Sequence, residues 1–301
     1  MVPDEQLFDS ISVPKPPRRS PQRNELSEAL ALDQNTTLVL GPDGLPARRV
    51  CVHSLDKAHY AHYYADIVGT GMKNAYPGPL AWVELFSGPG LLYVEELAAF
   101  QPGSPVVALG IRDPFDIYVF ADLDDRCVDA LHRRVDGRAR VLRGNANSAA
   151  LHDRIVSLVP RNALVVLYAD PAGLDLHFDT LKFFAARYKH LDLLLNFPVP
   201  GIDRALSAGH GGKAARVLNH PTPIELIGPG SGRPGTSLRQ WFERQLGSLG
   251  YDHFEAVPIK LAAKNVALYD LMLASRRAKA KQFFQEAIHR GPGGQYTLSF
   301  G

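Results

Sequence analysis

Between residues 80 and 197, short apolar runs alternate with segments of helical period, and this alternation restricts the chain more than any other feature. The runs at 80–86, 116–121, 138–142, 163–169 and 191–197 read as strands, and 80–86 is apolar enough to be buried on both faces. The stretches between them, 91–100, 125–135, 151–159 and 178–190, read as helices. Strand, crossover helix and strand in succession give a mostly parallel sheet with helices on both faces. Beyond residue 235 the pattern changes. A helix is expected over 237–249. The extended segments 254–260 and 267–274 are joined so closely that they should pair as an antiparallel hairpin, and a last helix covers 277–289. The expectation is one seven-stranded α/β sheet that ends in a hairpin.

Composition agrees with a fold of that kind. Of 301 residues, 46% are hydrophobic and 21% charged, enough to bury a substantial core, which excludes a disordered, collagen-like or disulfide-stapled chain. Thirty-three basic residues against 31 acidic ones leave a formal charge of +2. A domain that grips a long phosphate backbone is usually more basic, so nucleic acid is not the favoured partner. No apolar run approaches the roughly 20 residues that span a bilayer, and no membrane partner is expected. The polar, Pro-rich start lacks the apolar core of a signal peptide. Cys51 and Cys127 stand far apart, without metal or redox spacing. A soluble, cytoplasmic protein is expected.

Three regions follow from the punctuation. Residues 1–35 read as a flexible arm, with Pro14, Pro16, Pro17 and Pro21 set among Lys15, Arg18, Arg19 and Arg23. Residues 36–79 read as a lead-in. Pro42-Asp43-Gly44 turns a small hairpin, and a helix over 54–68 carries Leu55, His59, Tyr63 and Ile67 on one face before Gly69 and Gly71, which suit a left-handed cap. Residues 80–301 form the main domain. Within it, 198–235 is crowded with Gly209, Gly211, Gly212, Gly228, Gly230, Gly232 and Gly235 and reads as a lid over a site or a partly disordered insertion.

Four strand ends carry the polar residues that matter, because open α/β sheets bind ligands beyond the carboxyl ends of their strands. Val83-Glu84-Leu85-Phe86-Ser87-Gly88-Pro89-Gly90 is an apolar strand with an acid near its end and a small-residue turn that lets a ligand approach the backbone. Asp122, after Tyr118-Val119-Phe120-Ala121, is placed to bind ribose hydroxyls or to cap the next helix. In Leu142-Arg143-Gly144-Asn145-Ala146-Asn147, Asn145 either meets an adenine amino group or satisfies its own turn. Asp170, in Tyr168-Ala169-Asp170-Pro171-Ala172-Gly173, either accepts a hydrogen bond from an acceptor amine and serves as a base, or caps a rigid turn.

These elements, in this order, resemble the three-Cys-motif partner family. The likeness rests on Phe86-Ser87-Gly88-Pro89-Gly90, Gly103-Ser104-Pro105, the pair Phe120/Asp122, Gly144-Asn145-Ala146-Asn147, Asp170-Pro171-Ala172-Gly173, and Leu268-Tyr269-Asp270-Leu271 with Ala274-Ser275. Asp43-Gly44-Leu45-Pro46 and the helix around Lys57, His59 and Tyr64 are similar to the family's lead-in, so the resemblance covers about residues 40–285. It implies a Rossmann-like class I methyltransferase fold with an S-adenosylmethionine pocket, an undefined acceptor, and a partner protein that carries three cysteines. The implied cofactor residues are Glu84, Phe86, Ser87, Gly88, Gly90, Asp122, Leu123, Asn145, Ala146 and Asp170. Asp170 is also the implied catalytic residue, and Pro171, Asn196 and Phe197 line the implied acceptor pocket. The chain departs from the family at Asn145, where an acid is usual, and at Ala172, where Phe is usual. Lys57 touches the pocket by the same analogy.

Other chemistries fit less well. Cytosine-5 methylation needs a cysteine after a proline, whereas Val50 precedes Cys51 and Arg126 precedes Cys127. Amino methylation of a flipped base uses an aromatic ring after Asp-Pro-Pro, and here Ala172 and Gly173 follow Asp170-Pro171. A nuclease would need a denser carboxylate cluster. His59, His62 and Asp66 share a helical face at metal-ligand spacing, though a solvated or capping face is commoner, and no metal is expected. Tyr60, Tyr63 and Tyr64 read as packing residues, and Arg276, Arg277, Lys279 and Lys281 as a solvent-facing cluster. The alternatives to a methyltransferase are a non-catalytic partner that keeps the fold, and an amino methyltransferase acting on nucleic acid.

Overall fold

The computed structural model describes residues 37–227, 234–261 and 266–290, so the arm expected at 1–35 and Gly228, Gly230 and Gly232 lie outside the described residues. The chain runs β1 (Leu38–Leu40), β2 (Pro46–Val50), α1 (His53–Met72), β3 (Leu80–Leu85), β4 (Leu91–Val94), β5 (Ala99–Pro102), α2 (Ser104–Leu109), β6 (Ile117–Asp122) and α3 (Asp125–Val135). It continues through β7 (Arg140–Arg143), α4 (Ala149–Leu158), β8 (Leu164–Ala169), α5 (Phe178–Arg187), β9 (His190–Phe197), α6 (Val199–Ser207) and α7 (Gly211–Leu218). A 3₁₀ turn at Pro223–Ile227 precedes α8 (Pro234–Gly247), β10 (His253–Leu261), β11 (Val266–Ser275) and α9 (Ala278–His289).

The principal sheet has seven strands in the order β10-β11-β9-β8-β3-β6-β7. The five from β9 to β7 are parallel, β11 runs antiparallel to β9, and β10 pairs antiparallel with β11. This is the expected mostly parallel, Rossmann-like seven-stranded sheet with a terminal antiparallel hairpin. Its strands are apolar on both faces because each face carries its own helix layer. Ala81, Val83 and Leu85 join a core shared with α4, α5, α6, α7 and α8, while Leu80 and Trp82 join the opposite core with α1, α2 and α9. Chain order reverses between β3 and β8, so the crevice beyond their carboxyl ends is the topological switch point of the sheet.

A second sheet has the order β1-β2-β4-β5 and a small core of Val39, Ala47 and Tyr93. Residues 91–100 therefore do not form the expected helix. Leu91–Val94 pairs in parallel with β2, Ala99–Pro102 folds back against it, and Ala98 takes a left-handed turn at φ 48°. Leu, Glu and Ala favour helix locally, but the exposed edge of β2 offers backbone partners that outweigh this preference. The boundary expected at 79/80 consequently falls inside a structural unit, since Arg48 of the lead-in pairs with Leu92 of the main domain.

Helix α1 also passes through the expected cap and continues to Met72. Gly69 and Gly71 are there for close packing: a Cβ on Gly69 would lie 2.3 Å from the carbonyl oxygen of Asp113, and one on Gly71 would lie 2.6 Å from the Phe283 ring. The Gly/Pro-rich stretch departs from a lid or loose insertion over 198–227. It forms α6, α7 and the 3₁₀ turn, anchored by buried Ile202, Leu206, Ala214, Val217 and Leu218. Apolar side chains at helical spacing overrode the glycines between them. No helix among the described residues is long and apolar enough to cross a membrane.

Candidate functional site

At the switch point, the small sheet and the first turns of α1 roof the strand ends and enclose a cavity of about 490 Å³. Its floor is the turn after β3, from Phe86 to Gly90, with Asp122 from β6 and Asp170, Pro171 and Ala172 after β8. Its roof brings Arg48 and Arg49 from β2, and His53 and Lys57 from α1. That volume falls in the roughly 300–1,000 Å³ range of small-molecule sites.

The floor turn is built by the backbone. Phe86, Gly88 and Gly90 all have positive φ, at 64°, 63° and 80°. Gly90 is doubly constrained, since a Cβ there would also meet Leu131 Cδ1 at 2.7 Å. The amide of Ser87 donates to the carbonyl of Ala121 at 3.0 Å. The amide of Gly88 donates to Asp122 Oδ2 at 2.7 Å, and Asp122 Oδ1 accepts from the amide of Asp124 at 3.0 Å. Asp122 therefore pins the glycine turn to the next strand while facing the cavity, and the helix is capped by Asp124 instead. The hydroxyl of Ser87, a residue 5% exposed, has no hydrogen-bond partner among the described residues.

Glu84 lies one layer beneath. Its carboxyl is 1% exposed, accepts from Ser104 Oγ at 2.5 Å and from Trp82 Nε1 at 3.2 Å, and reaches the cavity only through Ser104. Burial pushes its pKa up to about 8, against the opposing pull of those two hydrogen bonds.

Across the floor, Lys57 Nζ donates to both oxygens of Asp170, at 2.8 and 2.6 Å, and Asn196 Nδ2 donates to Asp170 Oδ1 at 2.6 Å. The ammonium also lies 4.8 Å from the centre of the Tyr269 ring. His53, half-buried, is held toward its neutral form, first by burial and then by the charge of Lys57. Asp170 is thus a restrained, charge-balanced group rather than a free base.

The expected site residues divide accordingly. Phe86, Ser87, Gly88, Gly90, Asp122, Asp170 and Pro171 meet around the cavity, with Glu84 beneath. Leu123, Asn145 and Ala146 do not line it. Leu123 is 65% exposed. Asn145 Oδ1 accepts from the amide of Asn147 at 2.9 Å, the local turn rather than an outward-facing group. Ala146 is buried, with its carbonyl 2.7 Å from His152 Nε2. Asn196 and Phe197 line a separate apolar pocket of 20 Å³ that shares Pro171 with the cavity, and Phe197 stacks on Phe242 there at 4.6 Å.

Arg48, Arg49 and His53 are wall residues with no functional signal in the sequence, because pairing of β2 with β4 is what brings the roof over the strand ends; Ser104, of the Gly103-Ser104-Pro105 element, also lines the cavity, although the resemblance implies no site role for it. The metal spacing on α1 is spent elsewhere. His62 Nδ1 lies 3.1 Å from the carbonyl of Val107, Asp66 accepts from Arg112, and no group of three or more His, Cys, Asp or Glu among the described residues could hold a metal. Arg276 and Arg277 are likewise engaged, Arg276 with the carbonyls of Tyr188, Ala185 and Leu249 and Arg277 with Asp192.

No family model matches the chain. No curated protein matches it either. Solved structures do align with it. One is an O-methyltransferase from Bacillus cereus in complex with SAH, 10% identical, covering 91% of this chain and 96% of that one, at a TM-score of 0.44. Another is protein LPL1258 from Legionella pneumophila, 10% identical, covering 79% and 94%, at 0.49. At that level the likenesses carry no assignment of activity or substrate.

Proposed function

We propose that the chain is an S-adenosylmethionine-dependent methyltransferase related to the three-Cys-motif partner family, acting on an unidentified acceptor. The carrying observation is Asp122. Its carboxylate holds the amide of Gly88 at 2.7 Å at the sheet's switch point and borders the cavity, where an acid is placed to receive a ribose diol.

The donor set fits the cofactor. Asp122 and Asp170 suit its diol and its cationic groups, Gly88 and Gly90 give the positive-φ turn that lines the cavity, and the buried Ser87 hydroxyl has no hydrogen-bond partner among the described residues. When bound, the cofactor supplies an activated methyl group. The protein's own part is alignment, so no covalent nucleophile is required. Lys57 and Asn196 fix the orientation of the Asp170 carboxylate, and the roof of β2 and α1 covers part of the cavity.

The test is calorimetric titration with S-adenosylmethionine and S-adenosylhomocysteine. Micromolar binding that weakens in Asp122→Asn supports the reading, and no binding by a folded sample refutes it. A second reading, a non-catalytic partner for a protein with a three-cysteine motif, draws on Asn145, whose side chain is spent on its own turn. Cofactor binding without turnover in the presence of that partner would favour it.

A further inference from the structure

The cationic groups lining the cavity are nearly all matched within the protein. Arg49 pairs with Glu95, Lys57 pairs with Asp170, and burial holds His53 toward neutrality. Arg48 is the exception. It is half-buried, and among the described residues it has no carboxylate within ion-pair distance; Nη2 instead lies 3.6 Å from the thiol of Cys127. Burial pushes that thiol up to about 11, so it stays neutral; the nearby Asp124 carboxylate feels the guanidinium's charge without forming an ion pair with it. Arg48 Nε would be only 3.3 Å from a Cβ on Gly88, which sets the guanidinium against the floor turn. Next in the chain is Ser87, with its partnerless hydroxyl. A planar cation without an ion-pair partner and a hydroxyl without a hydrogen-bond partner at one turn, among the described residues, suit an anion, and the fork of a guanidinium matches the two oxygens of a carboxylate.

We propose that Arg48, assisted by the Ser87 hydroxyl, recognises the α-carboxylate of the cofactor's amino-acid portion. This rests on the cofactor reading above and extends it, because it makes the small sheet part of the binding site. Strand β2 is held by its pairing with β4, and that register presents Arg48 to the turn.

The experiment titrates wild type, Arg48→Ala, Arg48→Lys and Ser87→Ala with S-adenosylhomocysteine and with its decarboxylated analogue, which keeps the adenosine, thioether and amine. Wild type should prefer the carboxylate form. Arg48→Ala should lose about tenfold or more in affinity for S-adenosylhomocysteine and stay within about twofold for the analogue. Arg48→Lys should recover part of the loss, and Ser87→Ala should show a smaller loss confined to the carboxylate form. Because the analogue reports on folding and on the adenosine subsite, an equal loss for both ligands would overturn the inference. Unchanged S-adenosylhomocysteine affinity in Arg48→Ala would overturn it too, and would assign the guanidinium to an anionic acceptor. Wild type that binds neither ligand removes the cofactor reading itself and this inference with it.

Discussion

Lys57 and Asp170 stand 113 positions apart in the chain and form an ion pair in which one ammonium reaches both carboxylate oxygens, at 2.8 and 2.6 Å. Their side chains are 13% and 22% exposed, so water screens the pair only in part. Removing one partner leaves the other as an uncompensated, half-desolvated charge. Lys57→Met should therefore lower unfolding free energy by about 1–2 kcal/mol in urea titration. The double variant Lys57→Met with Asp170→Asn should recover more than half of that. If the two losses simply add, the pair is not coupled and Asp170 is held by Asn196 alone.

Asp122 has a structural duty alongside any ligand it meets. Its two oxygens accept the amides of Gly88 and Asp124. Asp122→Ala should thus cost about 1–3 kcal/mol of stability as well as cofactor affinity, because buried amides lose their acceptor. Asp122→Asn keeps one carbonyl acceptor and should preserve more stability while still weakening S-adenosylhomocysteine binding. Thermal melts beside calorimetry separate the two effects. Equal melting of Asp122→Ala and wild type would show that the turn does not need the carboxylate.

The inner strands β3, β6, β8 and β9 were legible because burial on both faces writes itself as a continuous apolar run, and the switch point follows from their order. The roof was not legible. Arg48 contributes to a site only because Arg48, Arg49 and Val50 pair with Leu92, Tyr93 and Val94, a contact across more than 40 residues that no local pattern announces. The same pairing turned Leu91–Val94 from helix to strand. Asn145 was ambiguous for a different reason: a side-chain amide that can meet a base can equally close its own turn, and only coordinates distinguish them.

Gly69 offers a test in which propensity and packing disagree. In an exposed helix, Gly→Ala gains about 1 kcal/mol. At Gly69 the new methyl would lie 2.3 Å from a backbone oxygen, that of Asp113, and 3.3 Å from Ile111 Cδ1, so helix and loop must part. Gly69→Ala should lose about 1–3 kcal/mol. Gly212→Ala in α7 is the control, since nothing lies within 4 Å of its added Cβ, and it should gain about 0.5–1 kcal/mol. Urea midpoints that move the same way for both would sink the packing explanation.

Glu84 makes a prediction about pH. Its folded pKa is about 8 against an ordinary 4.5, because burial disfavours the anion more than Ser104 and Trp82 stabilise it. A raised carboxyl pKa means that the folded state holds a proton the unfolded state has released. The stabilisation is complete below the unfolded value and is lost as pH rises through the folded one. Other groups titrate within the lower part of this window. Asp56 is raised to about 6 and acts in the same direction, while His53 and His62 are lowered and oppose it. His177 and His190 are lowered as well and also oppose it, and unfolded histidines finish titrating only by about pH 7.5, so between about pH 7.5 and 8.5 Glu84 should dominate, with a slope of about 1 kcal/mol per pH unit at the start of that interval. Unfolding free energy should fall across that interval in wild type and stay nearly flat in Glu84→Gln, whose amide stays neutral in both states. Parallel pH curves for the two proteins would show that Glu84 is already ionised in the folded state, and that Ser104 and Trp82 stabilise a buried anion.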